Sequence, residues 1–318
     1  MAQIVLGIGT SHSPQLSVRA AEWQLLREKD EQDPRLDYKA LLQRAKHGLD
    51  AELTAEKFHK RDEACRKAIE TLGAVLRQAA ADVVVIFGDD QQEQFHDDNM
   101  PTFAIYHGKS VPVVKDSGLR PARWKEAERT GWAETADQYE TSQDLADHLI
   151  QSLVTDEFDI ARCNKLRPEV GVGHAFSFLY RRIVPGSKLP MVPVMVNTYY
   201  PPNQPTPKRC WAFGQAVRTA IESWDAGKRV AVMASGGLSH VIIDEEIDGI
   251  VIDALRRKDR EALWRLPREK LRGGTSEILN WVALAGLAEP MELKYLEYVT
   301  TYRSPAATGC GMAFAYWT

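Results

Sequence analysis

Residues 82–87 read Asp-Val-Val-Val-Ile-Phe, a largely β-branched run with the length of one strand. An apolar run of this kind is typical of a strand that is buried on both faces of a sheet. Just before it, apolar residues within 68–76 recur at the spacing of one helical face, which predicts an amphipathic helix. A helix that leads into such a strand indicates a parallel sheet with helices packed on its faces.

The same alternation of helix and strand returns along the rest of the chain. We predict strands at 3–8, 191–196 and 229–234, helices at 140–153, 210–224 and 253–266, and a closing loop and strand at 302–317. The predicted fold class is therefore α/β, with a central mostly parallel or mixed sheet flanked by helices.

The chain shows no internal repeat, low-complexity tract or flexible linker. Its 318 residues are enough for one large core. We therefore predict a single domain over residues 1–318, with a charged helical segment at about 20–78.

Composition and charge restrict the class of partner. The formal net charge is −4 with both signs interspersed, so no basic stripe marks a surface for nucleic acid or for a membrane. The longest apolar runs have strand length, whereas a membrane-spanning helix needs roughly 20 residues. The first residues resemble a strand and not a signal peptide. We expect a cytoplasmic protein that acts on a small molecule.

The four cysteines, Cys65, Cys163, Cys210 and Cys310, lie far apart and form no Cys-x-x-Cys pair. This spacing favours neither a zinc site nor a disulfide framework. Free thiols are therefore expected.

Polar loops follow several of the predicted strands. His12 follows the first strand, the run 89–91 follows the strand quoted above, and the run 236–240 ends in His240. In open parallel sheets, ligands bind in the crevice outside the carboxyl ends of the strands. We therefore expect these loops to meet over one pocket.

Four segments resemble, in their order, the signature segments of the class III extradiol dioxygenases. They are Thr10-Ser11-His12-Ser13-Pro14, Gly173-His174-Ala175-Phe176, the run 235–240 and the run 275–281. One such segment is a weak signal, whereas four in order are fairly specific. The resemblance implies an oxidoreductase that uses O2 to open the ring of a catechol-like (dihydroxy or aminohydroxy) aromatic.

The resemblance also implies roles for individual residues. His12 and Glu277 correspond to ligands of a non-haem Fe(II), and His174 and His240 correspond to an acid and a base beside it. Two imidazoles and one carboxylate leave adjacent positions open, so that a catecholate and O2 can bind the same iron. A homodimer or larger homo-oligomer is implied as well, and a small partner subunit supplied in trans is possible in this family.

The sequence departs from the family pattern where a second histidine ligand is expected. The run Asp89-Asp90-Gln91 places Gln91 in that position. An amide oxygen binds Fe(II) more weakly than an imidazole does. Three interpretations remain open: Gln91 binds the metal, His96 or His59 replaces the imidazole, or the site has changed its role.

Ordinary structural explanations exist for each of these residues. Glu277 opens an apolar helix, where an acid in the first turn is common and Thr275 or Ser276 would serve as the N-cap. His174 precedes an apolar run and could be a core histidine, and His12 and His240 could be loop residues. Only the joint pattern favours a site.

Two other functions stay open at this stage. A site containing Gln91 could bind Zn(II) or Mn(II) and activate water, which would make the protein a hydrolase or lyase. A non-catalytic binding protein is the third alternative. The substrate is not identified, although Arg120, Arg123 and Arg303 are candidates for contact with a substrate carboxylate.

Overall fold

The computed structural model describes residues 1–112, 138–167 and 171–318, so Arg120 and Arg123 lie outside the described residues. Eleven strands occur in the described residues. In chain order they are β1 (Gln3–Thr10), β2 (Val83–Asp89), β3 (Phe103–Tyr106), β4 (Ser110–Pro112), β5 (Gln138–Glu140), β6 (Ile160–Cys163), β7 (Met191–Val196), β8 (Arg229–Ser235), β9 (His240–Ile242), β10 (Leu293–Thr300) and β11 (Thr308–Trp317).

Nine α-helices occur in the same described ranges. They are α1 (Trp23–Gln32), α2 (Tyr38–Arg44), α3 (Ala55–Ala79), α4 (Gln143–Thr155), α5 (His174–Phe178), α6 (Pro207–Ser223), α7 (Glu245–Arg257), α8 (Arg260–Trp264) and α9 (Ile278–Leu287). Shorter helical turns lie at Pro14–Ser17, Ala20–Glu22, Leu49–Glu52, Leu179–Ile183 and Gly273–Glu277.

Nine of the strands form one mixed sheet. Its order is β10, β11, β1, β8, β2, β7, β3 and β6, and β9 pairs with β11 beside this path. The central strands β1, β8, β2 and β7 run parallel, whereas β11 is antiparallel to β1 and β3 is antiparallel to β7. The predicted α/β class with a mostly parallel or mixed sheet is confirmed.

Strand β2 is buried along its whole length. Val85 and Phe87 belong to a core shared with α6 and α9 on one face of the sheet. Val84 and Ile86 belong to a second core that α3 and α5 cover on the other face. The uninterrupted apolar run therefore reflects a strand sandwiched between two helical layers, as predicted.

Several predicted helices have different bounds in the structure. The predicted helix at 253–266 is two helices, α7 and α8, because Lys258 adopts a left-handed conformation (φ 55°) between them. The charged segment at about 20–78 is interrupted and contains α1, α2 and most of α3. The predicted helix at 140–153 begins three residues later, since Glu140 belongs to β5.

The four cysteines are free thiols, as the sequence predicts. Within the described ranges, we find no helix with both the length and the apolar character required to cross a membrane.

Candidate active site

The site lies at the carboxyl ends of three neighbouring parallel strands. Thr10 of β1 pairs with Ser235 of β8, and β2 is the next strand beyond β8. The loop residue His12 and the last residue of β2, Asp89, therefore emerge at the same edge of the sheet. This edge is the expected place for a ligand in an open parallel sheet.

His12 is held with one ring nitrogen unused. It is 2% exposed, and its Nδ1 lies 2.9 Å from the Ser235 hydroxyl. Its Nε2 is 3.3 Å from Oε2 of Glu277 but makes no hydrogen bond with any described residue. Burial lowers the pKa of His12, so the neutral imidazole is favoured. A buried neutral imidazole with an unpaired nitrogen is suited to bind a metal.

Glu277 reaches the site from the last residue of a helical turn that runs directly into α9. It is fully buried. The expected N-cap is absent: Thr275 instead bonds the backbone of His240, and Ser276 bonds the carbonyl of Gly273. The explanation of Glu277 as an ordinary helix-capping acid is therefore wrong.

The two oxygens of Glu277 have different surroundings. Oε1 accepts hydrogen bonds from the Tyr199 hydroxyl at 2.6 Å and from Gln91 Nε2 at 3.3 Å, and lies 3.1 Å from His240 Nε2. Oε2 accepts a bond from the backbone N–H of Gly237 at 2.9 Å. Oε2 also faces Nε2 of His12, at 3.3 Å.

The charge of Glu277 is stabilised within the site. Burial alone would raise the pKa of Glu277, but the neighbouring His240 holds it well below its ordinary value. The backbone also approaches closely, because a Cβ at Gly236 would lie 2.8 Å from Cβ of Glu277. Gly236 has a φ of 157° and leaves the space that the carboxylate needs.

His240 lies beside Glu277 with both ring nitrogens near acceptors. Its Nδ1 is 3.0 Å from the carbonyl of Leu238, and its Nε2 faces Oε1 of Glu277. Burial opposes a charge on His240, but Glu277 outweighs it and raises the pKa of His240 well above the ordinary value. Gly274 packs against the imidazole ring, where a Cβ would overlap it.

His174 lies on the other side of His12. Their rings meet edge to face with centroids 4.6 Å apart. Nδ1 of His174 is 3.5 Å from Oε1 of Glu93. Burial would lower the pKa of His174, but Glu93 raises it above the ordinary value, so His174 retains a proton more readily.

Gln91 and Asp89 occupy the position of the expected second histidine. Nε2 of Gln91 donates to Oδ2 of Asp89 at 3.0 Å and to Glu277, and it also contacts the Tyr199 hydroxyl at 3.2 Å. The structure thus places Gln91 in hydrogen-bond contact with Glu277. Its role as a metal ligand stays a prediction.

The other proposed replacements point elsewhere. His96 bonds the guanidinium of Arg167, and His59 lies exposed near the start of α3. Arg303, a candidate for substrate contact, is buried against Asp30. Among the described residues, no hydrogen bond or ion pair joins His96, His59 or Arg303 to His12, Gln91 or Glu277.

Sequence reasoning missed three residues of the site. They are Asp89, Tyr199 and Glu93. Asp89 could have been found, because it is the acidic last residue of the buried strand β2, at the edge of the sheet where ligands bind. Tyr199 and Glu93 depend on loop conformation and carry no comparable signal.

The residues present fit a metal ion. His12, Asp89 and Glu277 each offer a ligand atom, and these atoms lie within 4.8 Å of one another. The unpaired Nε2 of His12 and the two buried carboxylates form a nitrogen and oxygen donor set that suits a divalent ion such as Fe(II) or Mn(II).

Comparison with known proteins places the chain among aromatic ring-opening enzymes. Residues 51–313 match the family model described as the catalytic LigB subunit of aromatic ring-opening dioxygenase. A gallate dioxygenase of Pseudomonas putida is 30% identical over 179 residues, which cover 52% of this chain and 50% of that protein. A 2,3-dihydroxyphenylpropionate/2,3-dihydroxicinnamic acid 1,2-dioxygenase of Paraburkholderia xenovorans is 28% identical over 175 residues, covering 55% and 48%.

The chain spans about half the length of the curated relatives that it matches. The family match is more extensive, since it covers most of the chain. It includes three of the four signature segments and leaves out the one around His12. The chain therefore belongs to the LigB family of class III aromatic ring-opening dioxygenases.

Proposed function

We propose that this protein is an extradiol dioxygenase that opens the ring of a catechol-like aromatic with O2 at a mononuclear non-haem Fe(II). One observation carries the proposal. The free Nε2 of buried His12 faces Oε2 of Glu277, and His174 and His240 lie on either side. Membership of the LigB family supports the same reaction class.

His12 and Glu277 would hold the metal, together with a residue from the end of β2. Bound iron would supply adjacent coordination positions for the aromatic substrate and for O2. The buried carboxylate of Glu277 offsets part of the charge of the ion. Ser235 fixes the ring of His12 through Nδ1, which leaves Nε2 directed at the site.

His240 is proposed as the general base. Without a metal ion, Glu277 raises the pKa of His240 and favours its protonated form. A cation held by Glu277 would compete with His240 for the charge of the carboxylate, and the neutral imidazole would then accept a substrate hydroxyl proton. The carbonyl of Leu238 accepts from Nδ1 and keeps Nε2 turned toward the reacting side. Proton transfer to Nε2 would then place a cation beside the carboxylate.

His174 is proposed as the general acid. Glu93 favours its protonated form, so His174 can donate a proton to oxygen as the ring opens. Its position beside His12 places it close to the metal ligands without making it one.

The substrate class is a catechol-like compound with two hydroxyls, or with one amino and one hydroxyl group. The matched relatives are named for gallate and for 2,3-dihydroxyphenylpropionate or 2,3-dihydroxicinnamic acid. Those compounds are suitable first probes. A homodimer or larger homo-oligomer and a cytoplasmic location are also part of the proposal.

The test is O2 uptake by protein purified without air and loaded with Fe(II), using a panel of catechols that includes these probes. We expect O2 consumption and a ring-opened product. The variants His174→Gln and His240→Gln should each lose roughly 10²- to 10⁴-fold in turnover while they retain iron. Elemental analysis of every sample provides the control for metal content.

Full activity in either histidine variant would contradict the proposed proton transfers. Cleavage that needs zinc or manganese but no O2 would instead identify a hydrolase or lyase. Absence of both metal and turnover would favour a non-catalytic binding protein.

A further inference from the structure

Asp89 is a buried carboxylate without a cationic partner of its own. It is 2% exposed, and its oxygens accept hydrogen bonds from two amides, Gln91 at 3.0 Å and Asn280 at 3.4 Å. The described residues give it no ion pair, and a second carboxylate, Glu277, lies beside it. Burying a carboxylate costs several kcal/mol unless a cation compensates its charge. Its charge must therefore be neutralised, either by a proton in the metal-free protein or by a bound metal ion.

The side-chain amide of Gln91 has one sensible orientation. Nε2 lies within 3.3 Å of oxygens on Asp89, Tyr199 and Glu277. Turning the amide over would place its oxygen against two carboxylates, which would repel it. The N–H groups therefore face the carboxylates, and the carbonyl oxygen faces away from them.

From this geometry we infer that the metal ligands are Nε2 of His12, Oε2 of Glu277 and a carboxylate oxygen of Asp89. Gln91 is then a positioning residue that holds the two carboxylates by hydrogen bonds. The inference rests on the proposed metal-dependent function, and it departs from the sequence prediction that Gln91 is a ligand.

Glu277 shows the same division of roles. Gln91 and Tyr199 donate to Oε1, and His240 lies within hydrogen-bond distance of it, so this oxygen is already satisfied. Oε2 has one backbone donor and the imidazole of His12 nearby. Glu277 is therefore set to bind through one oxygen only.

The inferred ligand set differs in charge from two imidazoles and one carboxylate. A divalent ion bound to Asp89, Glu277 and neutral His12 carries no net charge with its ligands. A second carboxylate in place of an imidazole also favours ions that prefer oxygen donors, such as Mn(II) and Fe(II), relative to Zn(II). Loss of the family histidine at position 91 is thus compensated two residues earlier in the chain.

The test uses Co(II) as a spectroscopic probe, titrated into metal-free protein and followed by visible absorption. We expect Asp89→Asn to weaken Co(II) binding by more than about 100-fold. Gln91→Leu should weaken it by roughly 10- to 100-fold, as for residues that hydrogen-bond to a ligand, with the absorption bands near their wild-type positions. The positions of the absorption bands depend on which atoms bind the ion. Replacement of a residue that only positions a ligand should therefore leave the bands unchanged.

Asp90→Asn is the matched control. Asp90 neighbours Asp89, but its oxygens accept backbone N–H bonds from Gln94 and Phe95. Its replacement should leave the Co(II) affinity and spectrum unchanged. Circular dichroism of each metal-free variant verifies folding.

The inference is overturned if folded Asp89→Asn binds Co(II) as the wild type does, or if Gln91→Leu abolishes binding or shifts the bands while Asp89→Asn does not. In either case ring opening by the wild type would leave the proposed function intact. A wild type that binds neither Co(II) nor Fe(II) would overturn both.

Discussion

Two regions near the His12 loop bury a carboxylate, and they neutralise it differently. In the first, Asp30 of α1 meets Arg303, whose Nε and Nη2 lie 2.6 and 3.0 Å from its two oxygens. Gln15, three residues after His12, accepts a further bond from Arg303. In the second region, Asp89 has only amide donors, and burial together with the nearby Glu277 raises its pKa well above the ordinary value.

The difference separates a structural pair from a functional one. The bidentate contact between Asp30 and Arg303 neutralises both charges within the protein, so neither group is left to bind a ligand. Asp89 lacks such a cation and lies beside the free nitrogen of His12. A buried carboxylate that the protein leaves uncompensated marks the place where a metal ion would bind.

The largest expected difference is between two variants in which a buried aspartate is replaced by asparagine, Asp30→Asn and Asp89→Asn. Asp30→Asn leaves the guanidinium of Arg303 buried without its counter-charge, and we expect the free energy of unfolding to fall by about 3–5 kcal/mol. Asp89→Asn replaces a carboxyl group whose neutral form is already favoured beside Glu277, so no counter-charge is lost and metal-free protein should lose no stability. Urea unfolding of the two metal-free variants measures both values.

The comparison between the regions fails if the two variants lose the same amount of stability. Addition of Co(II) should further separate the stabilities of the two variants. The ion should raise the midpoint of unfolding of Asp30→Asn, because a ligand that binds only the folded state stabilises it. It should not raise that of Asp89→Asn.

A smaller effect is expected for the amide that serves the structural pair. Gln15→Leu removes the acceptor of Arg303 Nη1 and the donor to the carbonyl of Thr301, both buried. We expect a loss of about 1–3 kcal/mol in unfolding free energy, since buried polar groups are left unsatisfied. Its Co(II) affinity should equal that of the wild type, in contrast to Gln91→Leu. Weakened Co(II) binding in Gln15→Leu would show that the two regions are coupled.

The smallest effect is expected for Tyr199→Phe, which removes the hydroxyl that donates to Oε1 of Glu277 at 2.6 Å. Oε1 keeps Gln91 and His240 nearby, so the carboxylate stays in place. We expect Co(II) binding to weaken by about 10-fold, the lower end of the range for groups that orient a ligand. Tyr200→Phe, one residue further, is the control. Equal affinity in Tyr199→Phe and wild type would mean that this hydroxyl does not orient Glu277.

Much of the fold followed from the sequence because its signals are local. The run 82–87 became β2 with both faces buried, and the spacing of apolar residues in 68–76 lies within α3. The loops at His12, 89–91 and His240 were expected over one pocket because the carboxyl ends of parallel strands lie at one edge of the sheet, whereas Glu277 was assigned from the family resemblance alone. Helix bounds were less accurate where one residue, Lys258, takes a left-handed conformation.

The inferred third metal ligand, Asp89, was not identified from the sequence. Alignment to the family pattern indicated Gln91 as the residue in the position of the second histidine ligand. A sequence pattern does not show whether the oxygen or the nitrogen of its side-chain amide faces the two carboxylates. Arg303 was a candidate for substrate contact but instead pairs with Asp30, 2.6 Å away. The two residues are 273 positions apart in the chain, so the sequence does not indicate that they meet. Both outcomes depend on tertiary contacts.

The most direct test of the proposed reaction is the source of oxygen in the product. Iron-loaded wild-type protein would be given a catechol substrate under ¹⁸O₂ in ordinary water, and the ring-opened product analysed promptly by mass spectrometry. We predict that both atoms of the same O2 molecule enter the product. Cleavage with oxygen from water, or without O2 consumption, would contradict a dioxygenase function.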